Sequence, residues 1–178
     1  MKTLDPNHLV FLDECAVALW MTRNYGWSKR GEDAVIVRPR RGTHLSVIGA
    51  LRLTGVVAPM VVDGPVDGDT FCQWLREFLV PHLSPGNLVV MNNLSTHKVA
   101  QVDDIVASVG AKALYLPPYS PDLNPIEMLW SVAKARLGAA TARTRDRVAD
   151  VLGRVFRNLP AQTPLNWWRH CGYAEPST

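Results

Sequence analysis

Asp13, Asn92 and Glu127 are the residues of this chain whose types and settings point to chemistry. Asp13 ends the apolar run His8-Leu9-Val10-Phe11-Leu12, Asn92 follows Val89-Val90-Met91 directly, and Glu127 closes the proline-rich segment that begins at Pro117. Together they outline a three-carboxylate metal site with one member neutralised. The neutral member matters, because an amide oxygen carries no formal charge and offsets a divalent ion less well than a carboxylate.

Such a site needs elements that deliver each side chain to one place. The run 8–13 reads as a buried strand that carries Asp13 to a sheet edge. Thr43–Leu53 and Val56–Val62 are β-branched and apolar, with Thr54-Gly55 between them and Asp63-Gly64-Pro65 after them, which predicts a hairpin. A short strand at Ala34–Val37 is also expected within an otherwise irregular stretch from Ala16 to Gly42. Asp69–Leu83 spaces Phe71, Trp74, Leu75, Phe78 and Leu79 as one amphipathic helix ended by Pro85-Gly86. Leu88–Met91 is a central strand, and Ser95 is placed to cap a helix from about 96 to 108. Ala111–Leu116 is a further strand. Asn124-Pro125, an N-cap with proline at the first helical position, opens a helix carrying Ile126, Leu129, Trp130 and Ala133, so Glu127 falls in its first turn. Helices are expected again over Thr144–Leu159 and about Pro164–Cys171. The order gives an α/β domain with a mixed sheet, three antiparallel strands and then parallel ones joined through crossover helices.

Composition sets bounds on all of this. The 178 residues, 47% hydrophobic and 20% charged, suffice for one core-bearing domain, and disorder is not expected. No apolar stretch reaches membrane-spanning length and the first residues lack a signal-peptide core, so a cytoplasmic location is expected. Cys15, Cys72 and Cys171 are odd in number and widely spaced, which suggests reduced thiols rather than a disulfide framework or zinc site. The net charge of +3 is uneven: residues 23–52 hold Arg23, Lys29, Arg30, Arg38, Arg40, Arg41 and Arg52 against Glu32 and Asp33. That segment suits a polyanion or is simply a solvated loop.

Each site residue also has an ordinary reading. Asn124-x-x-Glu127 is a capping-box pattern in which the glutamate serves the helix start. Asp13 alone is a carboxylate at a strand end, and Asn92 and Asn93 are good turn residues. Trp74 and Trp130 sit at helical core spacing and read as packing.

The stretch Leu116-Pro117-Pro118-Tyr119-Ser120-Pro121-Asp122-Leu123-Asn124-Pro125-Ile126-Glu127, with Asn93-Leu94-Ser95-Thr96-His97-Lys98, resembles the mariner-superfamily DDE transposases, particularly their bacterial insertion-sequence branch. The 34 residues between Asn92 and Glu127 match that superfamily's habit between its second and third acids. Supporting pieces are Phe11-Leu12-Asp13-Glu14, Met21-Thr22-Arg23-Asn24-Tyr25-Gly26 and Val62-Asp63-Gly64-Pro65. The resemblance implies a ribonuclease H-like core over about 8–137 with C-terminal helices over about 144–171. It implies two magnesium ions, or manganese, held by Asp13, position 92 and Glu127, with water nicking the element end and the freed 3′ hydroxyl attacking target DNA. It also places His97 and Lys98 near DNA phosphate, while Arg38, Arg40 and Arg41 are candidate DNA contacts from the charge of their segment alone.

Asn92 departs from that pattern, whereas Asn93 belongs to it. The chain is therefore expected to be impaired or inactive, as a decayed copy or a deliberate Asp-to-Asn substitution. No other acid is placed to substitute: Asp103 and Asp104 lie down the next helix, and Asp63 and Asp122 sit in turns. The other expectation is a non-catalytic remnant that occupies DNA or joins active subunits and dampens transposition. Paired ends imply at least a homodimer, and an upstream helix-turn-helix module is expected to be encoded separately or lost.

Overall fold

The computed structural model describes residues 5–22, 28–33, 43–92 and 100–174. Its elements are β1 (Leu9–Ala18), β2 (His44–Arg52), β3 (Gly55–Asp63), α1 (Gly68–Trp74), β4 (Leu88–Met91), α2 (Ala100–Ala107), β5 (Lys112–Tyr115), α3 (Ile126–Ala140), α4 (Arg145–Arg157) and α5 (Gln162–His170). The strands form one sheet in the order β3-β2-β1-β4-β5. Pairing is antiparallel through β1, β2 and β3 and parallel from β1 to β4 and β4 to β5, as the sequence predicts. The strand expected over 34–37, the Ser95 cap and the first residues of the helix expected from 96 lie outside the described residues.

Two apolar layers sandwich the sheet, and strand periodicity decides what each residue faces. Along β1, Leu9, Phe11, Cys15 and Val17 pack with α3, α4 and α5, whereas Val10 and Leu12 pack with α1 and α2. Along β4, Val90 belongs to the first layer and Val89 and Met91 to the second. By the same alternation Asp13 and Asn92 both point toward α3. Leu12 pairs with Met91 across the parallel ladder, so the next residue of each strand, Asp13 and Asn92, emerges side by side where the pairing ends. A backbone bond from Leu116 N to Met91 O at 2.8 Å draws the start of the proline-rich segment to the same edge.

Three expectations are corrected. β1 runs on through Ala16–Ala18, residues expected to be irregular, because they pair with His44–Ser46 of β2. The helix predicted over 69–83 is α-helical only to Trp74, widens to a π-turn over Leu75–Leu79 and tightens to a 3-10 turn over Val80–His82. Pro81 lacks the N–H that an α-helical ladder needs there, and its ring crowds the carbonyl four residues back. The re-spacing keeps Leu75 and Leu79 buried but turns Phe78 outward, where it is 44% exposed. Asn124, predicted as N-cap, makes no side-chain cap; the helix begins at Ile126 behind Pro125. Its backbone does the work instead, accepting from Glu127 N at 3.1 Å and donating to Pro121 O at 3.0 Å.

The three cysteines are free and buried. Among the described residues, no helix is long and apolar enough to cross a membrane.

Candidate active site

Asp13 is the centre of the site, with 2% of its surface exposed. A buried carboxylate needs hydrogen-bond donors, and two side chains from distant elements supply them. Asn92 Nδ2 donates to Oδ1 at 3.0 Å and Trp130 Nε1 donates to Oδ2 at 3.2 Å. The backbone N–H of Glu14 adds a further stabilising contact. Burial nevertheless wins: the Asp13 carboxyl is pushed up to about 7, first by desolvation and then by the charge of Glu127, against the opposing pull of its donors. The two carboxyl groups therefore lie within electrostatic reach of each other.

Trp130 reaches Asp13 because α3 buries Ile126, Leu129, Trp130, Ala133 and Leu137 against the sheet at helical spacing. The strand opposite offers room. Asp13 pairs with Gly49 on β2, and a Cβ at Gly49 would sit 3.6 Å from Trp130 Cη2 and 3.6 Å from Pro59 Cα. A hydrogen or one methyl fits under the indole, whereas a branched side chain would push it aside. Glu127, three residues before Trp130 on the same helix, is exposed at the mouth of a cleft of about 360 Å³. That cleft is lined by Asn92, Asn124, Glu127 and residues 116–121.

The structure thus brings together Asp13, Asn92 and Glu127, the three residues singled out by sequence. Asn93, His97, Lys98, Arg38, Arg40 and Arg41 lie outside the described residues. Of the acids considered as substitutes, Asp63 is held 3.6 Å from Arg145 and Asp103 accepts from the Tyr115 hydroxyl at 3.0 Å. The arginines of α4 are partly engaged within the protein. Arg147 and Arg154 both pair with Asp150, and Arg145 also donates to Val61 O at 3.0 Å. Two residues escaped sequence reasoning: Trp130 as a donor to Asp13, and Asn124 as a cleft residue. Trp130 carried a faint signal, since it stands at i+3 from Glu127 and so shares its flank of the helix.

Asp13 and Glu127 fit as oxygen ligands of a divalent cation. Asn92 does not fit as the third anionic ligand, because the amide offers its N–H end, not an oxygen, to Asp13. Among the described residues, no group of three or more His, Cys, Asp or Glu is placed to hold a metal ion. The site therefore holds two carboxylates and an amide that donates to one of them.

A sheet of this order, with antiparallel and then parallel pairing between helical layers, is the ribonuclease H-like fold of transposase catalytic domains. The chain belongs to the DDE superfamily endonucleases, whose family model matches residues 8–149. Among solved structures it is similar to the Mos1 mariner paired-end complex with Mn, at TM-score 0.73 and 18% identity over 94% of this chain and 52% of that one. It is also similar to the Mos1 transposase paired-end complex with left transposon end, at TM-score 0.70 and 18% identity, covering 93% of this chain and 55% of the other. The catalytic domain of Mos1 mariner transposase alone matches at TM-score 0.64 and 14% identity, with 93% and 81% covered. The chain spans about half the length of the transposase chains in the two complexes, and these likenesses are of fold. No curated protein matches it in sequence.

Proposed function

We propose that this chain is the catalytic domain of a DNA transposase of the mariner superfamily, from its bacterial insertion-sequence branch, in which Asn92 replaces the second catalytic acid and cripples strand cleavage. The observation that supports the reading is that Asn92 and Glu127 line one cleft with Asp13 buried behind it and bonded to Asn92, an arrangement made by the β1–β4 register and the first turn of α3. Its partners are transposon-end and target DNA, and its working form is at least a homodimer with an upstream helix-turn-helix module. Its location is the bacterial cytosol.

In the reaction, water attacks a backbone phosphorus and the bond to the 3′ oxygen breaks; the freed 3′ hydroxyl later attacks a target-DNA phosphorus, whose own 3′ oxygen leaves with the proton. Magnesium or manganese, held by Asp13 and Glu127, would supply charge neutralisation at the attacked phosphate. The chain's own residues supply position. Trp130 and Gly49 fix the Asp13 carboxylate against the sheet, and the rigid proline-rich wall shapes one side of the cleft. With Asn92 in place, the N–H that binds Asp13 stabilises its carboxylate without bringing the second ligand charge, so the expected loss of rate is several orders of magnitude.

The test is strand nicking of cognate element ends in magnesium or manganese by the chain as it stands and by Asn92→Asp. Cleavage by Asn92→Asp alone supports the reading, and robust turnover with Asn92 present sinks the claim of impairment. A second reading, a non-catalytic remnant that occupies DNA or joins active subunits and so dampens transposition, is favoured by the same amide. It predicts DNA binding by both forms and cleavage by neither.

A further inference from the structure

Asn124 is buried to 2% exposure beside the cleft, and its Oδ1 is sealed from solvent with no hydrogen-bond partner. An orphaned buried acceptor is expected to cost about 1–3 kcal/mol, so a residue that keeps one needs a reason. Capping would be the structural reason for asparagine before a helix, and here no side-chain cap forms. Packing gives no reason for an amide where leucine or alanine would leave nothing unpaired. What remains is the other end of the same planar group, an N–H₂ donor at a site that must receive a phosphodiester.

Apart from the Tyr119 hydroxyl, which stands fully exposed at the surface, the cleft has few such side-chain donors. Pro117, Pro118 and Pro121 have no N–H, and no lysine or arginine lines it among the described residues. Asn92 Nδ2 is committed to Asp13, and the Ser120 hydroxyl is turned to Pro118 O at 3.4 Å. Glu127 adds negative charge that opposes an incoming phosphate. Meanwhile the Asn124 backbone is fixed by the bonds to Pro121 O and from Glu127 N, which pins its side chain a set distance ahead of Glu127.

We propose that Asn124 is a substrate-contacting residue whose side-chain amide donates to a non-bridging oxygen of the DNA phosphate brought to Glu127, a role that rests on the transposase reading above. Its orphaned oxygen is the cost of keeping that donor in place in the free protein.

The experiment replaces Asn124 by Ala and by Leu in the chain as it stands and in the Asn92→Asp form. The probes are a DNA duplex carrying the element end and a supercoiled plasmid with both ends. Melting temperatures are expected to stay level or rise, because the orphaned acceptor is gone. In the Asn92→Asp form, single-turnover nicking is expected to fall by about 10- to 100-fold, the loss of one hydrogen bond to a charged oxygen. Nicking at the parent rate overturns the proposal, as does a fall in melting temperature whose activity loss disappears on cooling, since that is a structural role. If Asn92→Asp itself fails to nick, the transposase reading has failed. Asn124 is then judged on duplex affinity without metal, where a drop of about fivefold or more in Asn124→Ala upholds the contact and unchanged affinity overturns it.

Discussion

Restoring an acid at position 92 is expected to weaken the metal-free fold and make its stability depend on divalent ions. Asn92→Asp removes the N–H that meets Asp13 Oδ1 at 3.0 Å and sets a second carboxylate against a buried one. The lost bond to a charged acceptor is worth about 1.5–3 kcal/mol. Two unit charges about 4 Å apart at an effective dielectric of about 20 repel by about 4 kcal/mol, an upper bound because the pair can share a proton. Asn92 is partly exposed and lines the cleft, so water softens the repulsion in part, and a net cost near 3 kcal/mol is expected. For a chain of this size that is roughly 6–12 °C in melting temperature. A divalent cation at about 100 times its dissociation constant returns about 2.7 kcal/mol, nearly the whole loss. The assay is thermal unfolding of both forms at pH 8 in EDTA and in a manganese titration. Equal manganese shifts in the two forms, or an Asn92→Asp protein as stable as its parent in EDTA, would refute the reasoning.

Three other outcomes are expected. Because the Asp13 carboxyl is raised from 3.8 to about 7 in the fold, the folded chain holds a proton that the unfolded chain releases; this contribution is complete below pH 4 and lost as pH rises to about 7. Metal-free denaturation across that window should show stability falling by up to about 4 kcal/mol, and Asp13→Asn should flatten the profile. Trp130→Phe deletes the donor to Asp13 Oδ2 and should cost about 2 kcal/mol at pH 8, with a smaller penalty at pH 5 where the carboxyl is already protonated; equal penalties at both pH values would count against the contact. Gly49→Ala should be nearly silent, whereas Gly49→Val should cost about 1–3 kcal/mol and alter tryptophan fluorescence as the Trp130 indole is displaced.

What the sequence reveals of this site follows from which constraints are local. Apolar runs and their punctuation locate β1, β2, β3 and β4, and the Asn124-Pro125 step locates the first turn of α3, because strand and helix starts are written in neighbouring residues. Convergence of Asp13 with Asn92 is legible too, since period-2 alternation and a parallel pairing leave little choice of face. The role of Trp130 is not legible: its indole meets a carboxylate 117 residues away, and only the seating of α3 across Gly49 decides that. The capping-box pattern at Asn124 and Glu127 misleads for a related reason, as the 3-10 turn over Pro121–Leu123 lets the Asn124 carbonyl serve Glu127 N and leaves the amide unused. Pro81 likewise defeats a helical period that is otherwise sound from Phe71 to Leu79.

Asn92 is the position where fold and chemistry ask for different things. A cluster of three acids at the end of a buried strand is a liability until cations neutralise it, and in their absence the charges strain the sheet edge that carries them. An amide at that place removes one charge and donates a hydrogen bond to another, so it does for the empty fold part of what an ion does for the working one. On the reading proposed above, the residue that slows cleavage is favourable for the protein at rest, an instance of stability and activity pulling a site in opposite directions. An intact core around Asp13 therefore says nothing in favour of turnover, because the amide that holds Asp13 keeps the fold whether or not the site cleaves.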